Sequence, residues 1–167
     1  MSRQFLGALG AAVVALIVVA WGSLFTVPQQ QQALVLQFGD PKRSIQEPGL
    51  KVKLPFIQDV QYFEKRILDI DPPKQQVILI DQKRLDVDAY GRYRITNPLR
   101  FYQTVNNEAG ARARLGAIIN SAMRRVLGNE SLANLLSGRR TQITQAIFQE
   151  VNQAASSLGI EMVDVRM

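Results

Sequence analysis

Asp86 and Asp88, in the run LDVDAY at 85–90, come nearest to a chemical constellation in this chain. Two carboxylates can serve as general acid and base or hold a divalent cation. Period-two alternation puts both on one face of a strand, with Lys83, Arg84 and Arg92 close in sequence, so surface ion pairing is the simpler reading. No other residue supplies the second half of a catalytic pair. The chain has no histidine and no cysteine, which removes imidazole acid–base chemistry, Ser-His-Asp and Cys-His nucleophiles, and every Cys/His zinc pattern. No G-x-x-x-x-G-K-[ST], G-x-G-x-x-G, G-x-S-x-G or S-x-x-K motif occurs. The expectation is a chain that is not an enzyme, with no catalytic, cofactor-binding or metal residues.

The elements that would position these residues begin with an apolar segment. No charged residue occurs from Gln4 to Gly39, and residues 5–27 read FLGALGAAVVALIVVAWGSLFTV. As a helix these 23 residues rise roughly 35 Å, enough to cross a hydrocarbon core of about 30 Å. A cleaved secretory signal is the competing reading, but the run exceeds the usual 7–15 residues of a signal core, roughly, and Trp21 and Phe25 suit an interface. Arg3 precedes the segment and the next basic residues are Lys42 and Arg43, so the N-terminus is expected in the cytoplasm.

After VPQQQQ, in which Pro28 stops a helix, residues 33–38 form an apolar strand closed by Gly39-Asp40-Pro41. The stretch EPGLKVKLPFIQDV at 47–60 follows. Here Leu50, Val52 and Leu54 point to one face and Lys51 and Lys53 to the other, between a Pro48-Gly49 turn and Pro55. Its simplest reading is a half-buried edge strand with outward lysines. Strands are expected again over 62–71, 76–80 and 84–95, the last with Leu85, Val87 and Ala89 inward. The period then changes. Residues 108–127 carry Leu115, Ile118, Ile119, Ala122 and Val126 at helical spacing, Ser131 caps a short segment, and 139–158 carry Ile143, Ile147, Val151 and Ala154. Gly159 ends that helix, and IEMVDVRM is one more strand. The fold class is α+β.

The formal net charge is +6, a surplus that suits anionic headgroups or solubility, while no nucleic-acid-binding motif accompanies it. Arg112, Arg114, Arg124, Arg125, Arg139 and Arg140 lie on the two long helices, where they form either a solvated face or a subunit or lipid contact.

Taken together, the apolar segment, VPQQQQALVLQFGDP, EPGLKVKLPFIQDV, LDVDAYGRYRITNP, the helix pair and LGIEMVDVRM resemble the SPFH or band-7 family of stomatins, prohibitins, flotillins and HflK/C, and within it the HflC group. The resemblance implies residues 1–4 as a cytoplasmic stub, 5–27 as a transmembrane helix, 28–98 as a sheet-rich subdomain and 99–167 as a helix-rich one. It implies a non-enzymatic scaffold of the bacterial inner membrane, mostly periplasmic. Its partners would be an HflK-like SPFH protein in a hetero-oligomer, an FtsH-type protease whose access to substrates it modulates, and membrane lipids, with no nucleic acid and no cofactor. Pro48, Gly49, Lys51, Lys53, Pro55 and Phe56 become membrane-proximal candidates; Arg112, Arg124, Arg125, Arg139 and Arg140 become candidates for a subunit or lipid interface. A stomatin-like lipid-organising role is the alternative, and a secreted protein released by signal cleavage a third. Family members continue after the VDVR strand into a long charged helix, and the chain is expected to be truncated before it.

Overall fold

The computed structural model describes residue 13 and residues 17–167. Residues 5–12 and 14–16 of the expected 5–27 span therefore lie outside the described residues. Residues 17–23 are helical, but Leu24–Val27 form strand β1 rather than the end of a helix. Among the described residues no helix is long and apolar enough to cross a membrane. The strand is imposed by pairing: β1 is antiparallel to β4 (Gly49–Val52), with Leu24 opposite Val52 and Val27 opposite Gly49.

The chain divides into two compact units, residues 1–63 and 64–167. In the first, β2 (Gln31–Gln37) is the centre of a three-stranded sheet, flanked by β3 (Asp40–Ile45) and β5 (Gln58–Glu64). β2 is apolar on both faces and buried throughout Ala33–Leu36, as a covered central strand must be. The β2–β3 connection is the two residues Phe38 and Gly39, both at positive φ (52° and 83°), the signature of a type I′ hairpin. The sequence pattern misses β3, because DPKRSI has no apolar alternation. Pro41 enters it where the register shifts between Val35 and Leu36, the irregular position at which a missing N–H is tolerated.

The expected faces of the 50–54 strand are inverted. Leu50, Val52 and Leu54 are 65, 60 and 55% exposed, while Lys51 and Lys53 are half-buried. The cause is the core beneath. Val27, Ala33, Val35 and Ile45 form its buried cluster, with Phe25 and Val60 packed against it, and Phe25 faces Lys51 across the β1–β4 pair. The side of the pair that carries Phe25 is the inner one.

In the second unit the sheet order is β10–β9–β6, with β6 at Leu68–Ile70, β9 at Tyr90–Ile95 and β10 at Ile160–Arg166. β7 (Gln75–Ile78) and β8 (Arg84–Val87) make a separate hairpin. Two stretches that read as single strands, 62–71 and 84–95, are thus each broken between sheets. Four helices lie between β9 and β10: α1 (Pro98–Val105), α2 (Glu108–Gly128), α3 (Leu132–Leu136) and α4 (Arg140–Ser156). The sequence pattern misses α1, although Asn97-Pro98 is a readable start: the Asn97 side chain accepts from the Arg100 N–H at 3.1 Å and Pro98 opens the helix. Only Pro98, Phe101 and Val105 are buried in it, too few to register as a period.

α2 buries Leu115, Ile119, Ala122, Met123 and Leu127, so its stripe runs slightly off the expected one, with Ile118 and Val126 at its margin. α4 buries Ile143, Ile147, Val151 and Ala155. Gly91 makes room for this packing: a Cβ there would stand 3.0 Å from Ile70 and 3.6 Å from Ile119. Gly159 ends the helix at φ +77°, and its carbonyl accepts from the N–H groups of Thr96 and Asn97, both at 3.0 Å.

Two substitutions test this core. Gly159→Ala forces a Cβ to 2.6 Å from the Asn97 carbonyl at a left-handed φ and should cost about 2–3 kcal/mol in urea unfolding. Tyr93 is fully buried on β9 with no hydrogen-bond partner for its hydroxyl, and burial pushes its phenol above the ordinary range. Because burial disfavours the phenolate, stability is undiminished by this group below the unfolded pKa and declines as pH rises from there through the folded one. Tyr93→Phe should raise stability near neutral pH by about 1 kcal/mol and lessen the alkaline decline, as denaturation at a series of pH values would show.

Candidate interaction surfaces

The aspartate pair sits as alternation requires. Leu85, Val87 and Ala89 turn inward, whereas Asp86 and Asp88 are exposed. Asp86 accepts from the Gln76 side chain at 3.3 Å, and Asp88 pairs with Lys74 at 3.2 Å. Each carboxylate is thus engaged by its neighbours on the β7–β8 hairpin. Among the described residues no group of three or more acidic side chains is placed to hold a metal ion. The two aspartates do border an open cleft of about 240 Å³, lined also by Leu127, Leu132, Leu135, Leu136 and Arg140. The sequence reading did not identify this cleft, because its walls come from separate elements.

The membrane-proximal candidates lie on β4 and the turn after it. Pro48 is exposed, and Gly49 opens the strand at φ 124°. Lys51 reaches Glu47 at 3.5 Å, and Arg43 donates to the Val52 carbonyl at 2.6 Å. Lys53 donates its backbone N–H to the Ser23 carbonyl at 2.8 Å. Pro55 is half-buried, and Phe56, at φ 66°, is 86% exposed.

The five arginine candidates are all exposed but do not form one patch. Arg112 and Arg124 are separated by about 18 Å along α2, at about 1.5 Å per residue. Arg125 pairs with Glu150 at 2.9 Å and ties α2 to α4. Arg139 precedes α4, and Arg140 donates to the Met167 carbonyl oxygen at 2.7 Å. The polar face of the β10–β9–β6 sheet holds further paired charges: Arg94–Glu161 at 2.8 Å, Arg92–Asp164 at 3.5 Å and Arg166–Asp164 at 2.8 Å. Tyr90 donates to Asp69 at 2.6 Å, and that hydrogen bond raises its pKa. Of these, Arg94–Glu161, Arg92–Asp164 and Tyr90–Asp69 cross between strands and set register more than they stabilise, while Arg166–Asp164 lies within β10.

Among the described residues, what stands out is an array of surfaces and no cluster of metal-ligating groups. The sequence matches the SPFH domain / Band 7 family over residues 25–167. The chain belongs to that family. The SPFH match starts inside β1, so the β1–β4 pair falls within the family domain. The chain is 27% identical over 160 residues to Protein HflC of Haemophilus influenzae, an alignment that covers 89% of this chain and 54% of that relative. It is 25% identical over 154 residues to the Escherichia coli protein named Modulator of FtsH protease HflC, over 87% of this chain and 46% of that one. With Protein HflC of Treponema pallidum it shares 28% over 103 residues, 62% of this chain and 31% of the relative. This SPFH chain spans about half the length of the first two relatives.

If the aspartates serve only their surface pairs, the double variant Asp86→Asn, Asp88→Asn should change unfolding free energy by less than about 1 kcal/mol. A larger loss in urea titration would assign them a structural role beyond those pairs.

Proposed function

We propose that this SPFH chain is an HflC-like, non-catalytic membrane scaffold. In this reading it assembles with an HflK-like partner and modulates an FtsH-type protease of the bacterial inner membrane. The observation that carries the reading is the family match over 25–167 together with relatives named for modulation of FtsH. The charge-free stretch Gln4–Gly39 supports a single-pass anchor with the N-terminus in the cytoplasm and the rest of the chain in the periplasm.

The physical logic is one of many weak contacts. Each SPFH chain would supply an anchor, a membrane-proximal unit holding Pro48, Gly49, Lys51, Lys53, Pro55 and Phe56, and a helical unit whose arginines meet neighbouring subunits. Linking such contacts raises their joint strength without any one being strong. Arg112, Arg124 and Arg139 have long, exposed side chains suited to acidic groups on a neighbour. A stomatin-like lipid-organising role is the second reading, favoured by the exposed apolar side of β4.

Affinity purification from detergent-solubilised cells tests the two. Under the first, the tagged chain retains an HflK-like protein and an FtsH-type protease, and Arg112→Glu with Arg124→Glu lowers the recovery of the HflK-like protein at least several-fold. Recovery of neither partner, with tight vesicle binding preserved, overturns the first reading in favour of the second.

A further inference from the structure

We infer that the outer edge of β10 and the facing side of α4 form a docking groove for an extended segment of another polypeptide. That segment joins the β10–β9–β6 sheet as a fourth, antiparallel strand and carries a carboxylate at the Arg140 end. The groove lies wholly within the second unit and owes nothing to the membrane anchoring proposed above.

The strand side follows from register. β10 is an edge of its sheet, with β9 between it and β6. Met162 donates its backbone N–H to the Asn152 side chain at 3.0 Å, so its backbone groups turn away from β9. Tyr93, opposite Met162, therefore turns its own to β6, and Gly91, two residues along, does the same. Val165 stands opposite Gly91 and so points outward, past the irregularity between Met162 and Asp164 that resets the alternation. Among the described residues no group beyond β9 bonds to the Val165 N–H or C=O. Such an edge is a template for another strand.

The helix side runs antiparallel to the strand. Asn152 of α4 reaches Met162, and Arg140, at the other end, donates to the Met167 carbonyl oxygen at 2.7 Å. An open groove of about 440 Å³ lies along this pair, lined by Thr141, Thr144, Gln145 and Phe148 from one side of α4 and by every residue of Val163–Met167. A groove on one face of a strand would meet only alternate residues. This one therefore lies against the edge. At about 3.3 Å per residue, its strand wall suits an added strand of roughly five residues.

The side chains select the occupant. Phe148 is half-buried and Val163 is 38% exposed, an apolar surface for β-branched residues. Two arginines of the lining, Arg140 and Arg166, stand against one aspartate, Asp164, which Arg166 and Arg92 already hold. The first turn of α4 has no acidic residue, and Arg139 before it makes no side-chain cap, so the positive end of the helix adds to Arg140. A carboxylate complements that end and a lysine is repelled. A second copy paired about Val165 would set its own irregular Val163 against Met167, and bulges of this kind discourage edge-to-edge pairing of like chains.

The test uses the whole chain in detergent micelles and a synthetic, fluorescein-labelled peptide of alternating valine and threonine behind two N-terminal glutamates. Fluorescence anisotropy reads binding, and hydrogen exchange of the β10 amides reads the place. The expected result is saturable binding with a Kd below about 1 mM and slower exchange at Val165. Arg140→Glu, and Gln145→Trp, which fills the groove from an exposed position, should each weaken binding about ten-fold. Circular dichroism matching the parent confirms that both variants fold. On the unaltered chain, N-methylation of the alternate peptide amides that face β10 should abolish binding. Equal binding of the N-methylated peptide overturns strand addition, and equal binding of a peptide with lysine in place of glutamate overturns the carboxylate. No saturable binding overturns the groove. Slow exchange at Val165 in the chain alone that is lost on dilution assigns the edge to a second copy and overturns the partner segment.

Discussion

The second unit depends on one long-range pairing, that of β10 with β9. It brings Ile160 opposite Ile95 and Arg166 opposite Tyr90 across an intervening run of four helices. Forming it closes a loop of roughly 64 residues, an entropy cost that grows only slowly with length but must be offset by packing. The packing comes from α2 and α4 lying on the apolar side of the sheet, which places Ile119 next to Gly91 and buries Val151 and Ala155. Gly159 makes the reversal from α4 into β10 possible, and its carbonyl fastens that reversal to Thr96 and Asn97, next to the end of β9. The closing strand, the helices and the turn support one another.

In the first unit a comparable constraint works over a shorter distance. β1 comes from the end of a segment that, by composition, reads as helix. Pairing with β4 overrides that propensity because Phe25 and Val27 gain a core on the inner side. The same pairing decides which side of β4 is inner, and so turns Leu50 and Val52 outward. A period-two pattern marks two faces of a strand. It does not say which one meets the core when the outer face is itself apolar.

That distinction explains what was legible in the sequence. The α+β class, the two long helices, the terminal strand and the inward set Leu85, Val87 and Ala89 could all be read, because each has water on one side and protein on the other. β3 and α1 could not, since the first is held by pairing and the second by a cap and three buried side chains. The breaks in 62–71 and 84–95 were hidden because strand alternation continues across a change of sheet. Among the site candidates, the stretch from Pro48 to Phe56 was visible as a motif, but its orientation was not. Phe38 had no signal beyond standing before a glycine.

These features bear on what kind of work the molecule can do. A catalytic site needs groups whose environments shift their reactivity, gathered where water is excluded. The acids that reading the sequence brought forward are instead held in open surface pairs, Asp86 by Gln76 and Asp88 by Lys74. The unusual features lie elsewhere, in aliphatic side chains turned away from the core and aromatic rings held at left-handed turns. Surfaces of that kind act by position and by number. A single strip of a few side chains binds weakly, and only several such contacts made together hold firmly. Work done through such surfaces depends on the geometry of the contact more than on the shifted reactivity of any one group.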